Sequence, residues 1–212
     1  MPITALILAA GEGSRLKSYC QEKGLPKHLL PLPNRETIIG RLAKSLVKDC
    51  DEIVVAIKYE EHKPLFEQEL TKYINNFTVF VKTPNNQEYS EIKEASKFIT
   101  NNLVVQTNGD LIFADGVIED FLNRNKNKNY FYRGREGNNK NTAGFFDIFN
   151  SRISILPKSD LEKFNYDNKI YVIRNLLKSL ILNRVEKVPT LFNVDTLEDY
   201  KKALEWLDGG GK

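Results

Sequence analysis

Short runs rich in β-branched and aromatic residues alternate along this chain with longer amphipathic stretches, and this alternation limits the folds open to it. The short runs predict strands, and stretches with apolar residues on one helical face predict helices. Strands are predicted at residues 4–9, 52–58, 77–82, 103–107, 130–133, 144–149 and 186–192. Helices are predicted at residues 36–48, 61–73, 88–99, 114–125, 170–183 and 196–207. The order favours an α/β fold of three layers, α/β/α, with a mainly parallel mixed sheet between two helical layers.

The size and charge of the chain restrict its class further. With 212 residues the chain can bury one sizeable core, so we expect a single domain at residues 1–208 and a flexible tail at residues 209–212. The net charge of +3 disfavours nucleic acid or a membrane surface as a partner. Two cysteines suggest neither a disulfide framework nor a zinc site, and no targeting or membrane-spanning segment is recognisable. We therefore expect a cytoplasmic protein.

A pair of glycines directly follows the first predicted strand. Residues 10–15, here called the glycine loop, read Ala-Gly-Glu-Gly-Ser-Arg, and their N–H groups can face an anion at a tight turn. Arg15 and the later Lys27 add two cations suited to phosphate. Gly-x-Gly alone also fits a plain structural turn. A nicotinamide-cofactor loop is disfavoured because Leu16 replaces its third glycine, and a Walker loop because no Gly-Lys-Ser/Thr follows.

Two motifs together carry a family resemblance. LAAGEGSRL at residues 8–16 and LPKHLLPL at residues 25–32 resemble the signature of the sugar-phosphate nucleotidylyltransferase superfamily. The resemblance implies a Rossmann-like fold of the nucleotide-diphospho-sugar transferase type and an enzyme that binds a nucleoside triphosphate. It implies that Arg15 and Lys27 bind the triphosphate and are catalytic. The nucleotide-binding residues that we expect are Leu8, Ala9, Ala10, Gly11, Gly13, Ser14, Arg15, Lys27, Tyr89, Ser90 and Asn108.

Two aspartates that follow predicted strands are candidate ligands of Mg²⁺. Asp110 follows the strand at 103–107 in an Asn-Gly-Asp turn, at the sheet edge where the glycine loop opens. One such carboxylate is a sufficient attachment for magnesium, although the same tripeptide is a common turn. Asp195 is also suited to begin the last predicted helix. Residues 192–200 resemble the Val-Asp-Thr-x-Glu-Asp segment of cytidylyltransferases, which implies that Asp195 is the second metal ligand beside a catalytic Asp110.

These residue types suit the transfer of a nucleotidyl group. An acceptor oxygen attacks the α-phosphorus and pyrophosphate leaves, so positioning and charge neutralisation dominate catalysis. Neither His28, which replaces the proline usual in the signature, nor His62 is a credible general base. A phosphorylated acceptor with a second pKa of about 6 needs none. We therefore expect a Mg²⁺-dependent nucleotidylyltransferase that joins a nucleotide to a phosphorylated sugar, polyol or alcohol, and we leave a homo-oligomer open.

Two further segments bear on specificity. Residues 85–90, Asn-Asn-Gln-Glu-Tyr-Ser, are similar to a segment of phosphocholine and inositol-phosphate cytidylyltransferases, which favours CTP. Residues 142–146 resemble the segment that approaches the acceptor in sugar and inositol-phosphate transferases, and Arg135 is a further cation for its phosphate. The Glu-Lys-Pro motif of hexose-phosphate enzymes is missing, which disfavours a standard glucose-1-phosphate enzyme. The acceptor-binding residues that we expect are Arg133, Thr142 and Gly144.

Alternatives to this reaction remain open. One is a non-catalytic nucleotide-binding or regulatory relative of the same fold. Others are a hexose-1-phosphate or a molybdopterin-type nucleotidylyltransferase. The presence of Arg15, Lys27, Asp110 and Asp195 together favours an enzyme, because a protein that only binds nucleotide has no need of both metal carboxylates.

Overall fold

The structure is a computed structural model of the chain. It describes residues 2–84, 90–125, 131–132, 153–162 and 191–210. The predicted strand at 144–149 and the predicted helix at 170–183 lie outside these residues. Within the described ranges, every helix falls short of the length and apolarity that crossing a membrane requires.

Eight strands are present in the described part of the chain. They are β1 (Ile3–Ala9), β2 (Glu52–Ile57), β3 (Phe77–Val81), β4 (Leu103–Asn108), β5 (Leu111–Phe113), β6 (Phe131–Tyr132), β7 (Ile153–Pro157) and β8 (Leu191–Asn193). Six form one sheet in the order β3-β2-β1-β4-β7-β6. Strands β1 to β4 are parallel to one another, as the alternation predicts, whereas β7 runs antiparallel to β4 and to β6. Strands β5 and β8 form a separate antiparallel pair.

Strands β5 and β7 are absent from the sequence prediction. Strand β5 has three residues and begins directly after the Asn-Gly-Asp turn, so it is too short to show an alternating pattern. Strand β7 ends in Pro157, a residue that normally argues against a strand. The structure accommodates this proline because it is the last residue of the strand.

Helices cover both faces of the sheet. They are α1 (Lys17–Lys23), α2 (Ile38–Leu46), α3 (Lys63–Leu70), α4 (Ser90–Ala95), α5 (Val117–Asn125), α6 (Lys158–Glu162) and α7 (Leu197–Asp208). Ile7 of β1 faces a core that includes α2, α3 and α5, whereas Leu6 faces a second core with α4 and α6. The predicted three-layer arrangement is therefore confirmed. Helix α1 was not predicted, because it buries none of its residues and so has no apolar periodicity.

Helix α2 shows how far the amphipathic pattern holds. Thr37 caps its first turn by accepting a hydrogen bond from the N–H of Gly40 at 2.9 Å, and its predicted apolar face is buried. The amphipathic pattern also predicts that Arg41 lies in water, but its side chain is only 14% exposed. Its guanidinium donates to the carbonyl of Phe113 and pairs with Asp115 at 2.5 Å, because β5 passes beside the helix.

Helix α7 packs beside the segment that follows the glycine loop. Its buried residues share a small apolar core with Leu16 and Leu30. The rings of Tyr19 and Tyr200 lie 5.8 Å apart, and the Tyr200 hydroxyl donates to the carbonyl of Pro31. The start of α7 is therefore held next to the carboxyl edge of β1, where the predicted site lies.

Candidate active site

The glycine loop leaves β1 and turns sharply at its second glycine. Gly13 has φ 58°, a left-handed conformation that side chains disfavour, and it caps a 3₁₀ helix at Ser14–Leu16. A Cβ atom at Gly13 would lie 3.5 Å from Cβ of Lys27, so the loop wraps closely around the stem of that lysine. Arg15 is exposed on the 3₁₀ helix and has no ion pair within the described residues.

Lys27 is nearly buried and points at both predicted metal ligands. It begins a second 3₁₀ helix directly after the extended Pro26, and its side chain is only 7% exposed. Its Nζ donates to Oδ2 of Asp110 at 2.7 Å and lies 3.6 Å from Oδ1 of Asp195. Positions far apart in the sequence thus meet at one ammonium group.

The two aspartates, here called the aspartate pair, are brought together by the backbone of β5 and β8. Leu111 of β5 is paired with Asn193 of β8, and the N–H of Val194 donates to the carbonyl of Asp110 at 3.0 Å. The Asn193 amide donates to Oδ2 of Asp195 at 2.5 Å, which leaves Oδ1 for Lys27. Asp110 is 17% exposed and Asp195 37%. The pair is therefore positioned by main-chain pairing.

The aspartate pair fits a magnesium ion. Oδ1 of Asp110 is buried and has no hydrogen-bond partner, and such an atom is costly unless something ligates it. Mg²⁺ takes few protein ligands beside waters and phosphate, and two carboxylates are enough for it. No group of three or more His, Cys, Asp or Glu that could hold a metal ion occurs in the described ranges. Asp195 does not cap α7, since Thr196 does so by accepting from the N–H of Asp199. Helix capping therefore does not account for Asp195, whose carboxylate contacts Lys27 and Asn193.

Gly109 holds Asp110 close to β1, and this closeness predicts a measurable effect. A Cβ atom there would lie 3.0 Å from Cβ of Ala9 and 3.2 Å from Cδ2 of His28. We expect Gly109→Ala to lower the free energy of unfolding by about 1–3 kcal/mol, since the turn must move away from the strand. Urea unfolding measures the change. Gly11→Ala, whose new Cβ meets no atom within 4 Å, is the control, and an equal effect in both variants would contradict this account.

A cavity of about 510 Å³ opens beside the glycine loop. It extends from the loop and Lys27 to the end of β2 and the start of α3. Of the predicted nucleotide-binding residues, Ala9, Gly11, Gly13, Ser14 and Lys27 line it. Lys58, Tyr59 and His62 also line it, and these were not predicted. The sequence offered one indication of them, which is that they follow β2 closely. The carboxyl ends of parallel strands meet at one edge of the sheet, so residues in that place lie near the glycine loop.

The remaining predicted residues lie at the margins or outside the described chain. Leu8 and Asn108 are paired at the ends of β1 and β4, next to the glycine loop. Ala10 is buried and Ser90 begins α4. The structure does not bring Arg15 into contact with the aspartate pair. The predicted residues outside the described ranges are Tyr89, Arg133, Arg135, Thr142 and Gly144.

His28 is fully enclosed next to Lys27. Burial and, to a smaller extent, the neighbouring Lys27 charge lower its pKa to about 4. The ring lies against Phe66, with the ring centroids 6.2 Å apart. His28 is therefore neutral at pH 7 and enclosed by protein.

The lowered pKa of His28 predicts a pH dependence of stability. In the unfolded chain the His28 ring takes up a proton near pH 6.5, whereas in the folded chain it does so only near pH 4. Stability is therefore unaffected above pH 6.5 and falls as the pH drops towards 4, by roughly 3 kcal/mol in total. Urea unfolding at a series of pH values should show this slope in the wild type and lose it in His28→Gln. His62→Gln is the matched control, and a slope unchanged in His28→Gln would refute the assignment.

The sequence matches the family of MobA-like NTP transferase domains over residues 5–188. The chain belongs to this family. Membership places it among the nucleotidyltransferases, in agreement with the superfamily that its glycine loop and Lys27 segment resemble. No curated protein sequence matches the chain.

Solved structures share the fold of this MobA-like domain. A protein from Bacillus anthracis, described as a glucose-1-phosphate thymidylyltransferase and solved with sucrose, has a TM-score of 0.71 at 18% identity, covering 96% of this chain and 94% of that chain. The inositol-1-phosphate CTP transferase from T. maritima has a TM-score of 0.66 at 15% identity, over 99% and 97%. A nucleotidyl transferase from Methanothermobacter thermautotroptrophicus has a TM-score of 0.69 at 18% identity, over 99% of both chains. The likeness confirms the Rossmann-like fold.

Proposed function

We propose that this protein is a Mg²⁺-dependent nucleotidylyltransferase that joins a nucleoside monophosphate from an NTP to a phosphorylated small molecule and releases pyrophosphate. The observation that carries the proposal is the meeting of Lys27 with the aspartate pair at the sheet edge where the glycine loop leaves β1. Family membership supports the transferase class. The cavity beside the loop supports a nucleotide-sized ligand next to Lys27.

In the proposed reaction, an oxygen of the acceptor phosphate attacks the α-phosphorus of the NTP. The new P–O bond forms as the bond to the β-phosphate oxygen breaks, and pyrophosphate leaves. The glycine loop would orient the phosphates through its backbone N–H groups, and Lys27 and Arg15 would neutralise the charge that they carry. Mg²⁺ held by the aspartate pair would supply further charge neutralisation and alignment of the phosphate oxygens.

The proposed mechanism does not use the histidine next to Lys27 as a general base. His28, the histidine next to Lys27, is buried and neutral at pH 7. A phosphate acceptor is largely ionised at that pH and can attack without a base, whereas an alcohol acceptor would ordinarily need one. This supports a phosphorylated sugar, polyol or alcohol as the acceptor.

The nucleobase in the proposal is cytosine. The preference rests on the similarity of residues 85–90 to phosphocholine and inositol-phosphate cytidylyltransferases. One structural neighbour is itself an inositol-1-phosphate CTP transferase, and we extend its nucleotide to this chain as part of the proposal. Arg133, Thr142 and Gly144 are proposed to contact the acceptor, with Arg135 as a further cation for its phosphate.

Pyrophosphate release tests the proposed function directly. The four NTPs are each combined with sugar phosphates, inositol phosphate, phosphocholine and molybdopterin, with Mg²⁺ and with EDTA. We expect CTP with a phosphorylated polyol or alcohol to give the fastest release, and EDTA to abolish it. A preference for a hexose phosphate or molybdopterin would replace the acceptor assignment. Silence across all combinations would favour the non-catalytic nucleotide-binding relative.

A further inference from the structure

The aspartate pair already has a cation, which is the ammonium group of Lys27. Its Nζ lies 2.7 Å from one carboxylate and 3.6 Å from the other. Among the described residues, no other Lys or Arg forms an ion pair with either aspartate. The ammonium therefore lies between the carboxylates that are proposed to hold Mg²⁺.

The contacts that set the spacing of the pair do not involve the lysine. Its spacing is set by the β5–β8 pairing and by the hydrogen bond from the Val194 N–H to the Asp110 carbonyl. The Asn193 amide independently holds the Asp195 carboxylate. Two neighbouring carboxylates that are mostly withdrawn from water repel each other unless a cation lies close to both. With both carboxylates ionised, the site therefore requires a cation, either the ammonium or a metal ion.

The Lys27 ammonium group has a second possible position, away from the aspartate pair. It also lines the cavity beside the glycine loop, and its stem passes Gly13, which presents no side chain to block it. A lysine is a point charge on a flexible chain of four carbons, so its Nζ can move by several rotations while its Cα stays fixed. Phosphates bound in the cavity would attract it away from the aspartates.

We propose that Lys27 is the counter-ion of the aspartate pair in the nucleotide-free protein, and that a divalent cation binds tightly only when triphosphate draws this ammonium away. The proposal rests on the proposed function for the identity of the ligand. Two cations compete for one pair of carboxylates, whereas nucleotide relieves the competition. Metal and nucleotide must then strengthen each other's binding by the same factor, because linkage is reciprocal.

Binding of Mn²⁺ in the absence of nucleotide tests this coupling. Metal-free wild type, Lys27→Met and Lys44→Met are titrated with Mn²⁺ and followed by calorimetry and by the electron paramagnetic resonance signal of free Mn²⁺. Lys44 lies on α2 with its side chain exposed and pairs with Glu36 at 2.6 Å, so its variant removes the same charge away from the site. We expect Lys27→Met to bind one Mn²⁺ at least about tenfold more tightly than the other two proteins. Equal affinities in all three would overturn the proposal.

Two additions keep the test decisive. Asp195→Asn in the Lys27→Met background should remove the gain, and a gain that persists would mean that Mn²⁺ binds elsewhere. If Lys27→Met unfolds without metal, recovery of its circular dichroism in Mn²⁺ supports exchange of the two cations, whereas unfolding regardless of Mn²⁺ overturns it. Neither readout depends on turnover. A wild type that releases no pyrophosphate with any substrate would refute the proposed function. The Mn²⁺ comparison would still show whether Lys27 competes with a divalent cation for the aspartate pair.

Discussion

Replacing Asp110 by asparagine should lower Mg²⁺-dependent pyrophosphate release on the order of 10³-fold, equivalent to about 4 kcal/mol of transition-state stabilisation. The carboxylate is one of two that meet at the sheet edge, and its Oδ1 is buried without a partner, so no nearby described group replaces it. Asparagine has nearly the same shape and can still accept from Lys27. The fold should therefore persist while the metal ligand is lost.

The measurement is initial-rate pyrophosphate release at a series of Mg²⁺ concentrations, with circular dichroism as a check of folding. Asp115→Asn is the matched control, because Asp115 is an exposed carboxylate five positions later that pairs with Arg41 on another surface. We expect it to retain wild-type turnover. Asp110→Asn with unchanged turnover would remove Asp110 from the proposed metal site and leave its burial against Lys27 as a structural feature.

Replacing Lys27 by alanine should lower the rate of nucleotidyl transfer by roughly 10²- to 10⁴-fold. In the proposed reaction, this ammonium neutralises charge on the triphosphate as the bond to pyrophosphate breaks. Its position beside Gly13 and at the wall of the cavity gives it access to ligand phosphates. Lys17 and Lys58 also line the cavity, but among the described residues only Lys27 pairs with the aspartates as well, so we expect the loss not to be compensated.

Single-turnover measurements with saturating NTP separate this effect from weaker binding. Lys44→Ala removes an exposed lysine on α2 and should leave the rate unchanged. Saturating Mg²⁺ should not restore the activity of Lys27→Ala, because the missing charge acts on phosphates. Full activity in that variant would exclude Lys27 from the catalytic site, whatever its effect on metal binding without nucleotide.

The local parts of this molecule were readable in the sequence. Apolar runs of the right length predicted β1 to β4, because burial on both faces of a parallel sheet selects β-branched residues. The glycine loop and the later Lys27 segment predicted a phosphate site because together they resemble the nucleotidylyltransferase signature, whereas a Gly-x-Gly turn alone also fits a plain structural turn. Short elements without periodicity, such as α1 and β5, were not predictable because their own residues carry no burial pattern.

The sequence by itself determined the fold class, the family and the residue types available for catalysis. Only the tertiary structure decided how they meet. It paired β5 with β8 across more than seventy residues of chain, which placed Asp195 beside Asp110 and assigned the capping of α7 to Thr196 instead. It also enclosed Lys27 between the two carboxylates. The positions of these three side chains depend on long-range backbone pairing and on desolvation. Neither can be predicted from the residues next to each aspartate in the sequence.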